Sequence, residues 1–169
     1  MKKIFVLFLI LILGCSSTNH GFVSYETKND YKEPKIGWID YSPGTVSVAK
    51  KQKKPIIFYF KSNNCDECDQ MQEFTLSDSL VIYLINNNFT PILVKKDSSY
   101  FSGLSSKYEV KVIPFIVILA HPAFTIELVR VNGYIDAEDY VDVLDTSYEL
   151  NKALNGESNN FFDILLKSL

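Results

Sequence analysis

The sequence predicts an α/β fold, a central sheet of about four strands flanked by helices, with an extra helix at the C-terminus. Three observations carry that reading. Helix-like and strand-like segments alternate from Ile36 onward. Two unbroken apolar runs of strand length, Ile56 to Phe60 and Phe115 to Leu119, read as central strands covered on both faces. Finally, 47% hydrophobic and 14% aromatic residues in 169 supply the apolar surface that one compact domain needs.

In chain order, Ser42 and Pro43 suit the cap and first position of a helix carrying Val46, Val48 and Ala49. Lys50, Lys51, Lys53 and Lys54 crowd its last turn, where they complement the helix dipole. Pro55 opens the first central strand, and Ser62, Asn63 and Asn64 turn the chain into Cys65. A helix with Cys68, Met71, Gln72 and Phe74 follows, breaks near Ser77 and Asp78, and resumes through Leu80, Val81, Leu84 and Ile85 until Asn86, Asn87 and Asn88 end it. Phe89 to Val94 is a second strand and Asp97 to Tyr108 a shorter helix. Phe115 to Leu119 is the third strand, and Thr125 to Val131 a fourth whose alternation is imperfect. Asp136 begins a helix with Tyr140, Val141, Leu144 and Tyr148. Behind Asn155 and Gly156, the tail from Ala153 to Leu169 reads as an added amphipathic helix through Phe161, Phe162, Ile164, Leu165 and Leu166.

Seventeen basic against 20 acidic residues, a net charge of -3, give no basic face for a nucleic-acid backbone. No phosphate loop, HExxH helix or nucleophilic serine elbow is present.

Ahead of the domain, Lys2 and Lys3 precede ten uninterrupted apolar residues, Ile4 to Leu13. The run is too short to span a bilayer and has the flanks of a secretory signal. Ile12, Leu13, Gly14 and Cys15 resemble the lipobox of bacterial lipoproteins, which implies removal of residues 1–14 and lipidation of Cys15. Residues 15–35, including His20, then form a polar tether, residues 36–152 the folded domain, and residues 153–169 the helical extension. The protein is expected in the cell envelope, lipid-anchored to a membrane and facing the periplasm or exterior.

The strongest chemical signal is Cys65-Asp66-Glu67-Cys68, placed directly after a buried strand and at the start of a helix. A spacing of i and i+3 brings both sulfurs to one helical face, close enough for a disulfide. Cys65 meets the unpaired N–H groups and positive end of the helix, which favour its thiolate and suit it to nucleophilic attack; Cys68, one turn deeper, suits a resolving role. Asp66 and Glu67 oppose negative charge on Cys65 and point to a weakly acidic thiol in a reducing protein. Two other readings stand beside this one. Half of a zinc site would need further ligands, and only His20 and His121 remain beside carboxylates. A purely structural disulfide would gain little from so short a loop. No metal site is assigned, and His121, ahead of Pro122, reads as a turn residue.

From Trp38 to Leu150 the order of helix, strand, CxxC, helix, strand, then Tyr108 to Pro114 before another strand resembles the thioredoxin superfamily. In detail it is most similar to exported thioredoxin-like thiol reductases such as the C-terminal domain of DsbD. The resemblance implies a mixed sheet, Cys65 and Cys68 as nucleophilic and resolving thiols, Met71 at an apolar site, and Pro114 as the cis-proline. Ile113 would offer its backbone to an extended substrate, and Gly133 matches the glycine after the last strand. Asn64 replaces the usual Trp, Asp66 and Glu67 replace Gly-Pro, and Tyr59 stands where the family keeps a buried acid. The activity implied is thiol-disulfide exchange on disulfide-bearing exported proteins, without an organic cofactor and with a membrane electron donor of the DsbD type. The alternative is a non-enzymatic surface lipoprotein that uses the fold to bind proteins.

Overall fold

The computed structural model describes residues 34–157. Cys15, His20, the signal and tether segments up to residue 33, and the apolar tail from residue 158 lie outside the described residues. The elements are β1 (Ile39–Asp40), α1 (Thr45–Gln52), β2 (Ile56–Lys61), α2 (Asp66–Gln70), a π-helical turn (Met71–Thr75), α3 (Ser79–Asn88), β3 (Thr90–Lys95), α4 (Phe101–Lys107), β4 (Phe115–Leu119), β5 (Glu127–Asn132) and α5 (Ala137–Leu154). Among the described residues no helix is long and apolar enough to cross a membrane.

The strands form one mixed sheet of five in the order β1-β3-β2-β4-β5, rather than the four expected. The fifth is β1, two residues parallel to β3, with Ile39 opposite Ile92. β2 lies at the centre, parallel to β3 and antiparallel to β4. Its residues Ile56 to Phe60 are all buried because both faces are covered. Ile57 and Tyr59 face a cluster with α3 and α5, while Ile56, Phe58 and Phe60 face α1 and α4. Each such side chain contributes roughly 1.5–3 kcal/mol by leaving water, so this strand fixes the height at which Cys65 emerges.

Several element ends differ from expectation for local reasons. Helix α1 starts at Thr45 after Gly44, because the Thr45 hydroxyl takes the Ser42 N–H and bonds back to the Ser42 carbonyl, holding Ser42 to Gly44 in a turn. Its inward residues are Thr45 and Ala49, and Val48 is exposed. Asp78 restarts the helix as α3 by accepting from the N–H groups of Leu80 and Val81 at 2.8 and 3.0 Å, a cap worth about 1 kcal/mol. α3 ends with the Asn run, at Asn88, as expected. Asn86 sits within its last turn and pins the N-terminal segment by bonding Gly37 N–H at 2.9 Å and the Lys35 carbonyl at 3.0 Å. The helix expected from Asp97 begins only at Phe101. The last strand runs from Glu127 to Asn132, shifted by an irregularity opposite Ile118 and Leu119 that explains its broken alternation. α5 passes through position 152 and ends at Leu154, and Asn155 is anchored, donating to the carbonyls of His121 and Asn151.

Candidate active site

The site lies at the C-terminal ends of β2 and β3, the edge where open α/β sheets hold their ligands. Ser62 to Asn64 carry the chain over this edge, and Cys65 follows in extended conformation as the N-cap of α2, at φ -156° and ψ 97°. Cys65 and Cys68 are joined in a disulfide with their Cα atoms 5.2 Å apart. The Cys68 N–H donates to the Cys65 sulfur at 3.1 Å, the sulfur taking the place a capping oxygen fills elsewhere. Such a donor favours a thiolate at Cys65 once the bond is reduced.

The two sulfurs differ in access. Cys68 is 0% exposed, whereas Cys65 is half-buried. Cys65 opens onto a shallow cleft lined by Ser62, Asn64, Glu67, Lys96 and Ile113. Across it, the Cys65 sulfur lies 3.6 Å from the Ile113 carbonyl oxygen. Among the described residues the Ile113 N–H has no backbone partner. The Ile113-Pro114 bond is cis, and the Pro114 carbonyl accepts the Gly133 N–H at 2.8 Å. Gly133 has φ +80°, a conformation that favours glycine, and a Cβ there would stand 3.5 Å from the Glu67 carboxylate. The turn after β5, the Pro114 segment and the CxxC helix thus meet at one place.

Asp66, Glu67 and Asp69 fill the first turn of α2 and are exposed. Each complements the helix N-terminus that also favours a Cys65 thiolate, so the acids and the sulfur compete for the same partial charge. Tyr59 lies on the sheet behind the pair, 1% exposed, against Trp38 with ring centroids 5.3 Å apart. Burial, reinforced by the Asp69 carboxylate, pushes its hydroxyl well above the ordinary phenol range, so Tyr59 supplies no base. Met71 is fully buried in the same cluster. Among the described residues no three His, Cys, Asp or Glu side chains gather as a metal site, and both sulfurs are bonded to each other.

The sequence reading missed Lys96, Trp38 and Tyr140. Lys96 was legible in principle, as the first residue beyond β3 at the ligand-bearing edge. Trp38 and Tyr140 carry no local signal, because they reach Tyr59 only through the tertiary fold.

The profile of the Thioredoxin-like domain family matches residues 43–147, from the turn before α1 into α5. The chain belongs to the thioredoxin-like family. A thioredoxin from Thermus thermophilus is 26% identical with a TM-score of 0.65, over 72% of this chain and 93% of that one. The DsbH oxidoreductase shares the fold at 19% identity and a TM-score of 0.53, over 69% and 86% of the two chains. The oxidised C-terminal domain of Neisseria meningitidis DsbD does so at 17% and 0.51, over 62% and 90%. This thioredoxin-like protein therefore carries a disulfide oxidoreductase fold with its CxxC pair at bonding distance.

Proposed function

We propose that the protein is a membrane-anchored thiol-disulfide oxidoreductase that reduces disulfides of exported proteins. The observation that carries this reading is the inequality of the two cysteines. Cys65 borders an open cleft and receives the Cys68 N–H, while Cys68 is buried one turn behind it. In the reduced protein the Cys65 thiolate attacks one sulfur of a client disulfide, and the other client sulfur leaves with the bonding electrons and a proton. Cys68 then displaces the client from Cys65, closing the intramolecular disulfide and releasing the second client thiol. Two electrons pass to the client, so a dithiol donor must return them. Likeness in fold to a DsbD domain supports a membrane donor of that type. An extended client segment would lie along Ile113, whose N–H is open to it.

The apolar run of residues 4–13, followed by Gly14 and Cys15, supports lipid anchorage in the cell envelope. Both parts are tested together by expressing Cys68→Ser in a bacterium with a lipoprotein pathway. Envelope proteins accumulate as reducible adducts on Cys65, and labelled fatty acid enters the chain but not a Cys15→Ala variant. Absence of adducts with a reactive Cys65 contradicts the client class, and unlabelled protein contradicts the anchor.

A further inference from the structure

The formal net charge of -3 conceals a segregation of charge between the two edges of the sheet. The edge that holds the site is acidic. Along it stand exposed acids from the starts of two helices, Asp66, Glu67 and Asp69 of α2 and Asp136, Glu138 and Asp139 of α5. Register puts both helix starts there, because β2 and β5 end at the same edge, with Phe60 opposite Phe115 and Phe115 opposite Asn132. Lys61 and Lys96 stand against these acids, while Lys95 is bound to Asp40 at 2.9 Å. The opposite edge, where β2 begins at Ile56 beside Thr90 and Leu119, is basic. Lys35, Lys50, Lys51 and Lys53 are exposed there, and neither they nor Lys54 enter an ion pair among the described residues. Gln52 fixes the end of α1 to this edge by accepting the Thr90 hydroxyl at 2.7 Å. The Lys54 ammonium donates to the Asn86 carbonyl at 3.1 Å, and the Asn86 side chain holds the backbone of Lys35 and Gly37. The described chain thus enters the fold among its lysines. Two acids of this edge, Glu127 and Glu149, are taken up by Arg130 and Lys152, and Glu157 stands just past the end of α5.

We propose that the edge formed by Lys35, Lys50, Lys51, Lys53 and Lys54 binds the anionic headgroups of a membrane and holds the domain with Cys65 facing away from the lipid. The inference rests on the lipid anchorage proposed above, which brings the domain to a membrane. A tether alone selects no face. An anionic surface strengthens the attraction of each basic residue near it roughly five-fold, and its field fades within about 10 Å. The same field repels Asp66, Glu67 and the acids of α5, and the two effects act together because they come from opposite edges. Complementing the helix dipole accounts for Lys50 and Lys51 in the last turn of α1. It does not account for Lys53, Lys54 and Lys35, which lie beyond that helix and beside the point where the chain enters. Bound this way, the Cys65 cleft stays open to clients on the side away from the membrane.

The test is lysine footprinting of the full chain, made in a bacterium with a lipoprotein pathway and mixed with vesicles. One set is phosphatidylcholine alone, and the other is phosphatidylcholine and phosphatidylglycerol in equal parts. An amine-acylating reagent marks accessible lysines, and peptide mass spectrometry reads each one. On the anionic vesicles, labelling of Lys50, Lys51 and Lys53 should fall at least about three-fold relative to the neutral ones, while Lys61 and Lys96 keep theirs. Raising the salt to about 0.5 M should restore the lost labelling. Labelling that is the same on both vesicles, or protection of Lys96 in place of the α1 lysines, overturns the proposal. Protection that survives the salt overturns it too, since charge would not be its cause. The same digest shows whether Cys15 carries fatty acid. Protected lysines in a chain without lipid reject the anchor and uphold the basic edge as a membrane surface, and evenly labelled lysines in a lipidated chain do the reverse.

Discussion

The backbone N–H of Cys68 points at the sulfur of Cys65 from 3.1 Å, so the two cysteines of one helical turn are chemically unequal. Burial sharpens the difference, since Cys68 has no exposed surface. After mild reduction near pH 7, a small alkylating reagent should label Cys65 at least about ten-fold faster than Cys68. Peptide mass spectrometry reads the ratio, and equal labelling or a faster Cys68 contradicts the assignment of roles.

Asp66 and Glu67 stand beside that sulfur, exposed, in the first turn of α2. Their charge disfavours the Cys65 thiolate and so favours the disulfide relative to the reduced form. Replacing both, as Asp66→Asn with Glu67→Gln, should make the protein less reducing by about 10–30 mV in a glutathione equilibrium. A shift in the other direction contradicts the electrostatic role. A wild-type potential as high as about -120 mV, that of a strong oxidant, contradicts a reducing function altogether.

The disulfide closes a loop too short to restrict the unfolded chain much. The double variant Cys65→Ser, Cys68→Ser should therefore lose no more than about 2 kcal/mol in urea unfolding. A loss of 4 kcal/mol or more would mark the bond as a structural staple instead.

Strands buried on both faces announce themselves as unbroken apolar runs, and for that reason β2 and β4 were legible almost to the residue. The CxxC pair was legible because i and i+3 on a helix are neighbours whatever the rest of the fold does. β1 was not, since two residues such as Ile39 and Asp40 hold no periodicity; only pairing with Ile92 and Leu93 makes them a strand. The start of α1 was misplaced because the Thr45 hydroxyl competes for the Ser42 backbone, a local bond that propensity does not register. The π-helical turn after α2 and the meeting of Gly133 with Glu67 and Pro114 depend on segments distant in sequence. The Tyr59 and Tyr140 pair is of the same kind. Tyr59 was singled out by family resemblance, but its buried partner across the core had no signature of its own.

Those two tyrosines also predict how stability responds to alkali. Both hydroxyls are held above the ordinary phenol value of 10.0 by burial. Below about pH 10 both states keep the protons and the pair adds no pH dependence. Above it the unfolded chain gives them up while the folded chain retains them, so stability falls as pH rises, by up to about 1.4 kcal/mol per pH unit for each tyrosine. Urea unfolding from pH 8 to 11 should show a shallower decline in Tyr140→Phe than in wild type. Parallel curves would contradict the buried, neutral state of Tyr140.

The most direct measurement is reduction of a protein disulfide, such as those of insulin, by dithiothreitol with the purified chain as catalyst. Wild type should accelerate the reaction with turnover, while Cys68→Ser should form one stable mixed disulfide through Cys65 and stop. A wild-type disulfide that resists the reductant, or a reduced wild type that leaves the substrate untouched, contradicts the account.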